Sequence, residues 1–145
     1  MWWLAVLAVP LAVAAAARAG LRVVEVRGHS MNPAYADGDR ILVRRGRART
    51  GRPVVFRRPD LAGPAAADVD WLVKRVVATA GQPVPQALAG VVPDAVVPPG
   101  RLLVRGDNPH SIDSRHFGYV AEADVLGVAI RRLSTGTGVP DRAVP

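Results

Sequence analysis

Short hydrophobic runs separated by glycine, proline and aspartate make up most of the chain after residue 20. Within several runs apolar and polar residues alternate, which is typical of strands that are buried on one face. The pattern predicts strands at residues 22–27, 40–44, 53–56, 71–78, 101–105 and 125–133. No segment in this region has convincing helical periodicity, so the sequence predicts an all-β domain.

Other segments interrupt or follow these strands. Residues 58–70 are rich in proline, alanine and aspartate and are predicted to form a loop. Residues 81–100 contain five prolines and little periodicity, which indicates a variable connection with room for one short strand. Pro53 favours an edge strand or the first position of a strand, because proline cannot donate a ladder hydrogen bond. Residues 134–145 are predicted to form a flexible tail.

The N-terminal segment differs from the rest, because residues 1–17 carry no charged side chain and Arg18 ends the run. At about 1.5 Å per residue such a helix would be roughly 25 Å long, slightly short of a ~30 Å hydrocarbon core. Leu21 extends the span if the Arg18 side chain reaches the interface. We therefore expect a transmembrane anchor over residues 1–21. A cleaved secretory signal is the alternative, although no basic residue precedes the apolar run.

Composition narrows the possible chemistry. At 145 residues the chain is long enough for one domain with a hydrophobic core. The absence of cysteine excludes disulfides, thiolate metal sites and a cysteine nucleophile. The net charge of +7 suggests an anionic partner, either a membrane surface or a nucleic acid. Eighteen of the nineteen basic residues are arginine, and Lys74 is the only lysine.

Ser30 is the candidate nucleophile, and Lys74 is the candidate base that activates it. The pKa of a lysine must fall from about 10.4 by roughly two units for this role, and the apolar neighbours of Lys74 on its predicted strand favour such burial. Arginine cannot serve, because its pKa lies above ~12. A solvent-facing lysine on a half-buried strand is the alternative, and a Ser-His-Asp arrangement with His110 or His116 also remains open.

Two further segments carry candidate chemistry. Gly28 would let backbone approach a bound carbonyl, and N–H groups around Gly28 and Ser30 would form an oxyanion hole. An ordinary strand-ending turn is the alternative there. In the polar segment 106–118, Asp113 and Arg115 are placed to form an ion pair that stabilises a loop, and Ser111 is placed to hydrogen-bond a nearby amine.

Together these segments resemble the type I signal peptidase family of serine proteases. Three motifs carry the resemblance in the order that the family has them, over residues 23–133: Gly28-His-Ser-Met-Asn-Pro33 with Gly38-Asp39, Lys74-Arg-Val-Val-Ala78 with Gly81, and Gly106-Asp-Asn108 with Ser111-Ile-Asp-Ser-Arg115 and Phe117-Gly118. Three motifs in order are far more specific than any one alone.

The resemblance implies a Ser-Lys dyad in which Ser30 is the nucleophile and Lys74 the general base. It implies that Ser111 orients the lysine amine, that Asp113 and Arg115 support that loop, and that the Ser30 N–H, helped near Gly28, binds the oxyanion. It implies a mostly antiparallel β-sheet catalytic domain over residues 22–133, with no cofactor and no metal.

The resemblance also implies partners and a location. The substrates would be exported precursors that are cut after small residues in an Ala-X-Ala pattern. The catalytic domain would lie on the extracytoplasmic side of the plasma membrane, in contact with its lipid. No nucleic acid partner is implied. The arginines after the apolar run conflict with this orientation, because the positive-inside rule places them in the cytoplasm.

Two departures from the family pattern bear on the substrate. Most members continue the serine motif with Pro-Thr-Leu, whereas this chain has Pro33-Ala34-Tyr35. The compact chain resembles mitochondrial inner-membrane peptidases and the actinobacterial maturation proteases for nickel-type superoxide dismutase. A protease dedicated to a single precursor is therefore an alternative to general leader-peptide processing.

Two other classes remain. Self-cleaving repressors share a Ser-Lys protease core but carry a DNA-binding domain, and this chain has an apolar N-terminus instead. A non-catalytic basic module that binds a membrane surface or a nucleic acid would explain the charge. It would explain neither the single lysine nor the segment from Ser111 to Arg115.

Overall fold

The structure, a computed structural model, describes residues 10–57 with gaps at 12, 16 and 19, residue 59, and residues 71–136. It contains seven strands: β1 (Leu21–Glu25), β2 (Arg40–Arg44), β3 (Pro53–Arg57), β4 (Trp71–Thr79), β5 (Arg101–Arg105), β6 (Val120–Ala121) and β7 (Val125–Ser134). The six predicted strands are all present with bounds close to those expected. The prediction of a mainly β domain is therefore confirmed.

The strands form one antiparallel sheet in the order β1-β2-β7-β3-β4-β5-β6. The last strand, β7, returns to lie between β2 and β3, and its ladder with β2 contains two register shifts. Pro53 is the first residue of β3, an interior strand. The strand-start interpretation of Pro53 is therefore correct and the edge-strand interpretation is wrong.

Both faces of the sheet are packed at its centre. Successive residues of a strand point to opposite faces, and Val54, Val55 and Phe56 of β3 are all fully buried. Val55 belongs to a hydrophobic cluster that includes Met31, whereas Val54 and Phe56 belong to a second cluster. Strands near the middle of the sheet are consequently shielded from water on both sides.

The connection over residues 81–100 contains no strand. It forms two isolated bridges, Pro83 with Val96 and Ala89 with Val92, and a 3-10 helix at Gln86–Leu88. Leu88 is fully buried in a third hydrophobic cluster. The buried Leu88 side chain therefore fixes this segment against the core, although its proline content alone predicts a variable connection.

The expectation of no helix after the apolar N-terminus is wrong. An α-helix spans Ser114–Phe117, and a 3-10 helix spans Glu122–Asp124. Asp113 caps the α-helix by accepting a hydrogen bond from the Arg115 N–H at 3.1 Å. Helices of four and three residues are too short to produce a detectable periodicity.

The N-terminal residues that are described between Pro10 and Arg18 have helical backbone. Among the described residues, no helix is both long and apolar enough to cross a membrane. The predicted anchor falls largely on residues 1–9, 12, 16 and 19, outside the described residues. Most of the predicted loop at 58–70 and of the predicted tail at 134–145 also lies outside them.

Candidate active site

One cavity of about 400 Å³ brings together the three segments that carry the sequence motifs. They are the turn after β1, the middle of β4 and the segment after β5. The lining residues are Arg27, His29, Ser30, Leu72, Lys74, Asn108, His110, Ser111, Ile112 and Phe117. Three of the predicted site residues, Ser30, Lys74 and Ser111, are thus placed around a single space.

Ser30 is held in its turn by the residue that follows it. Met31 is fully buried in the cluster that contains Val55, whereas Ser30 remains partly exposed and lines the cavity. The Tyr35 N–H donates to the Met31 carbonyl at 2.9 Å, and the Tyr35 ring packs against the same cluster. Tyr35 therefore supports the turn, and neither Ala34 nor Tyr35, where the sequence departs from the family, lines the cavity.

Gly28 belongs to the turn that precedes Ser30, and its backbone N–H is bound inside that turn. Its N–H donates to Oδ1 of Asp37 at 2.6 Å and is therefore engaged within the turn. A methyl group at Gly28 would meet no atom within 4 Å, but the residue has φ of +81°. The left-handed backbone at this position favours glycine. Among the described residues, the Ser30 N–H has no acceptor, so it remains available as an oxyanion donor.

Asn108 holds the turn that carries Ser30, a role that sequence reasoning missed. Its backbone N–H donates to the Ser30 carbonyl at 3.1 Å. Its Nδ2 donates to the His29 carbonyl at 3.1 Å. The motif around Asn108 was visible in the sequence, but nothing local indicates that its partner lies 79 positions away.

Gly106 is the second missed residue, and close packing explains it. A methyl group added there would lie 2.1 Å from the Ser111 Oγ and 2.6 Å from the Ser30 carbonyl oxygen. Real Cβ atoms do not approach other atoms this closely. The absence of a side chain at Gly106 therefore allows Ser30 and Ser111 to reach the same cavity.

Lys74 is almost completely buried, with 2% of its surface exposed. Burial lowers its pKa from 10.5 to about 8, while the nearby Asp113 carboxylate acts in the opposite direction and raises it. At pH near 8 about half of the molecules therefore carry a neutral amine. The solvent-facing alternative for this lysine is wrong, because β4 has hydrogen-bonded neighbours on both sides and its middle is buried.

Ser30, Lys74 and Ser111 line one cavity, but no hydrogen bond joins them in the described residues. Ser111 is buried, and its hydroxyl donates to the Ile112 carbonyl at 3.4 Å. Catalytic hydrogen bonds often shorten only when substrate is bound. The geometry therefore places the three side chains around one cavity without a hydrogen bond between Ser30 and Lys74.

Asp113 and Arg115 form the expected ion pair, in which Nε and Nη2 of Arg115 donate to the two carboxylate oxygens, each at 2.9 Å. The Gly106 N–H donates to the same carboxylate at 2.9 Å. Burial raises the pKa of Asp113, but hydrogen bonds from Arg115 and Gly106 outweigh this and hold it below its ordinary value. Nη2 of Arg115 also donates to the Ser111 carbonyl at 3.2 Å. The Asp113–Arg115 ion pair is thus connected to Ser111, which lines the cavity.

The histidines do not support a Ser-His-Asp arrangement. His29 and His110 are exposed at the cavity, whereas Nδ1 of His116 accepts from the Asp113 N–H at 3.3 Å. No hydrogen bond in the described part of the chain joins a histidine to a carboxylate. The described residues also contain no group of three or more His, Cys, Asp or Glu that could hold a metal ion.

We expect Gly106→Ala to lower the free energy of unfolding by about 2 kcal/mol or more, because the added methyl group must displace Ser111 or the Ser30 backbone. Gly46→Ala is the matched control, since its methyl group would meet no atom within 4 Å. That control should change stability by less than about 1 kcal/mol. Urea unfolding of both variants measures the difference, and equal effects would contradict the close contact at Gly106.

Comparisons with known proteins identify the family of the chain. A family model described as "Signal peptidase, peptidase S26" matches residues 1–91 and 85–133. The protein named "Signal peptidase I V" from Bacillus subtilis (strain 168) is 28% identical over 138 residues, covering 72% of this chain and 80% of that protein.

A solved signal peptidase I from Enterococcus faecalis V583 has a TM-score of 0.42 at 21% identity and covers 58% of this chain and 97% of that chain. A TM-score this low does not establish a shared fold, so membership rests on the family match. Because that match extends over almost the whole chain, the protein belongs to the signal peptidase family, peptidase S26, and is a serine peptidase.

Proposed function

We propose that this peptidase is a membrane-anchored endopeptidase that removes leader peptides from exported precursors with a Ser-Lys dyad. One observation carries the proposal. The single lysine of the chain is buried, has its pKa lowered to about 8, and lines the same cavity as Ser30. Family membership makes Ser30 the expected nucleophile.

In the proposed mechanism, Ser30 Oγ attacks the scissile carbonyl while the neutral Lys74 amine takes the hydroxyl proton. The Ser30 N–H donates to the oxyanion that forms. The Lys74 ammonium then gives its proton to the leaving amine, and the C–N bond breaks to leave an acyl-enzyme. Water, deprotonated by Lys74, hydrolyses the ester and restores Ser30.

The remaining site residues would act on this pair indirectly. Ser111 lies in the cavity wall, where its hydroxyl can turn towards the lysine amine, and Arg115 holds the Ser111 carbonyl. Asp113 stabilises the loop through Arg115 and Gly106 and opposes the lowering of the Lys74 pKa. Gly28 shapes the turn that carries Ser30.

We propose residues 1–21 as the anchor, residues 22–133 as the catalytic domain on the extracytoplasmic side, and residues 134–145 as a tail. The relative from Bacillus subtilis is named a signal peptidase, which supports exported precursors as the substrate class. Leu72, Ile112 and Phe117 give the cavity an apolar wall. Small apolar side chains before the cleaved bond, as in an Ala-X-Ala pattern, suit such a wall.

The dyad predicts the behaviour of three variants. Full-length protein in mild detergent should cleave a precursor with an Ala-X-Ala site, and Ser30→Ala or Lys74→Ala should lower the rate by roughly 10⁴-fold or more. Lys74→Arg should be equally inactive, because arginine stays protonated. Arg101→Ala, which removes an exposed cation from β5, is the control and should cleave normally. Full cleavage by either alanine variant would exclude the dyad.

The lowered pKa of Lys74 predicts how activity depends on pH. Because the neutral amine is the active form, kcat/KM should rise tenfold per pH unit below about 8 and level off above it. Initial rates between about pH 6 and pH 10 give the profile. With a histidine base, kcat/KM would instead level off above about pH 6.5, and that result would count against Lys74.

Burial of the ammonium also predicts a stability effect. The folded-state pKa of Lys74 lies below its unfolded value of 10.5, so the charged form destabilises the fold below about pH 8 and this cost disappears as pH rises to 10.5. We expect Lys74→Met to raise the free energy of unfolding at neutral pH by about 1–3 kcal/mol. The gain over the wild-type protein should vanish near pH 10.5, and urea unfolding at both pH values measures it. A pH-independent difference would contradict the lowered pKa.

A further inference from the structure

A group of arginines lies away from the active site. The segment 44–52 begins at the last residue of β2 and ends just before β3, and it contains five arginines and no acidic residue. Four of them surround a groove of about 450 Å³, here called the arginine groove. Its lining consists of Arg44, Gly46, Arg47, Arg49 and Arg52 with Val128 and Ile130 of β7.

These arginines have no ion-pair partner in the described part of the chain, where the ion pairs involve Arg75, Arg115 and Arg132. One carboxylate is close, because Glu122 lines a neighbouring cavity together with Arg45 and Arg47. A single carboxylate cannot neutralise five cations. The repulsion among them favours an anion as ligand.

The position of the groove relative to the N-terminus indicates where such an anion would come from. The Arg45 N–H donates to the Gly20 carbonyl at 3.1 Å, and Leu21 pairs with Arg44 in the β1–β2 ladder. The uncharged N-terminal run ends at residue 17, only three residues before Gly20. The arginine segment is therefore attached to the end of the apolar run by backbone hydrogen bonds.

We propose that the arginine groove binds the phosphate group of an anionic phospholipid. Guanidinium groups bind phosphate oxygens in a bidentate manner. Val128 and Ile130 offer an apolar surface beside them for the glycerol and upper acyl chains, and Ile130 is 38% exposed. The inference rests on the proposed function, because the anchor at residues 1–21 is what brings the groove to the lipid headgroups.

The lining favours lipid over nucleic acid. Proteins that bind single strands usually stack bases on aromatic side chains, and no aromatic residue is among those that line the groove. A bound lipid would also neutralise the basic residues that follow the anchor. It would hold the domain near the start of β1, whereas the turn that carries Ser30 follows the end of that strand.

The test measures lipid binding by the full-length protein in a zwitterionic detergent. Dioctanoylphosphatidylglycerol is titrated by calorimetry into wild type, into Arg47→Gln/Arg49→Gln and into the control Arg101→Gln/Arg131→Gln. Both pairs are exposed and change the net charge equally. We expect saturable binding that weakens roughly 30-fold in the groove variant, or about fivefold per arginine. The control should bind within about twofold of wild type.

Three further titrations identify the ligand. Dioctanoylphosphatidylcholine and inorganic phosphate should each bind at least tenfold more weakly than phosphatidylglycerol, and a single-stranded oligonucleotide should not compete with it. Equal affinity for phosphatidylcholine or for phosphate would overturn the assignment to anionic lipid. Competition by the oligonucleotide would assign the groove to nucleic acid, and equal losses in both double variants would show that binding is not at the groove.

Precursor cleavage by the wild-type protein in the same detergent reports separately on the proposed function. Cleavage without lipid binding would overturn the arginine groove alone. Lipid binding without cleavage would support the groove and count against the dyad.

Discussion

The burial of one amine is the constraint on which the chemistry of this protein depends. Lys74 lies in the middle of β4, which has β3 on one side and β5 on the other. Leu72 and Phe117 line the cavity beside it, so little water reaches the amine. On an edge strand the same residue would keep a pKa near 10.5 and would remain protonated at neutral pH. The interior position therefore turns a common surface residue into a candidate base, at a cost in stability.

The position of Ser30, the candidate nucleophile, depends on contacts of its backbone. Gly106 permits an approach that no larger residue would allow, and Asn108 holds the carbonyls of His29 and Ser30. The Asp113–Arg115 pair then stabilises the loop that follows. The contacts that Gly106 and Asn108 make with His29 and Ser30 join segments that are distant in the sequence. Four strands separate β1 from β5 in the sheet, so the cavity depends on these contacts between the segments that follow β1 and β5.

The strands were predictable from the sequence because alternation of apolar and polar residues records burial on one face. For β2 and β5 even the bounds agree. Two-residue β6 and the helix at Ser114–Phe117 were missed, since neither is long enough to show a period. The 81–100 connection was misjudged for a related reason, because the burial of Leu88 depends on neighbours that lie elsewhere in the chain.

The sequence by itself determined which chemical groups are available: one lysine among many arginines, a serine after a glycine, and three motifs that place the chain in its family. The tertiary structure decided how those groups are placed. It shows Lys74 buried, the Gly28 N–H engaged by Asp37, and the arginines of residues 44–52 around a groove beside β7. The reason is that a local sequence pattern indicates only which face of a strand is apolar. Strand order and long-range contacts determine the exposure and the pKa of each group.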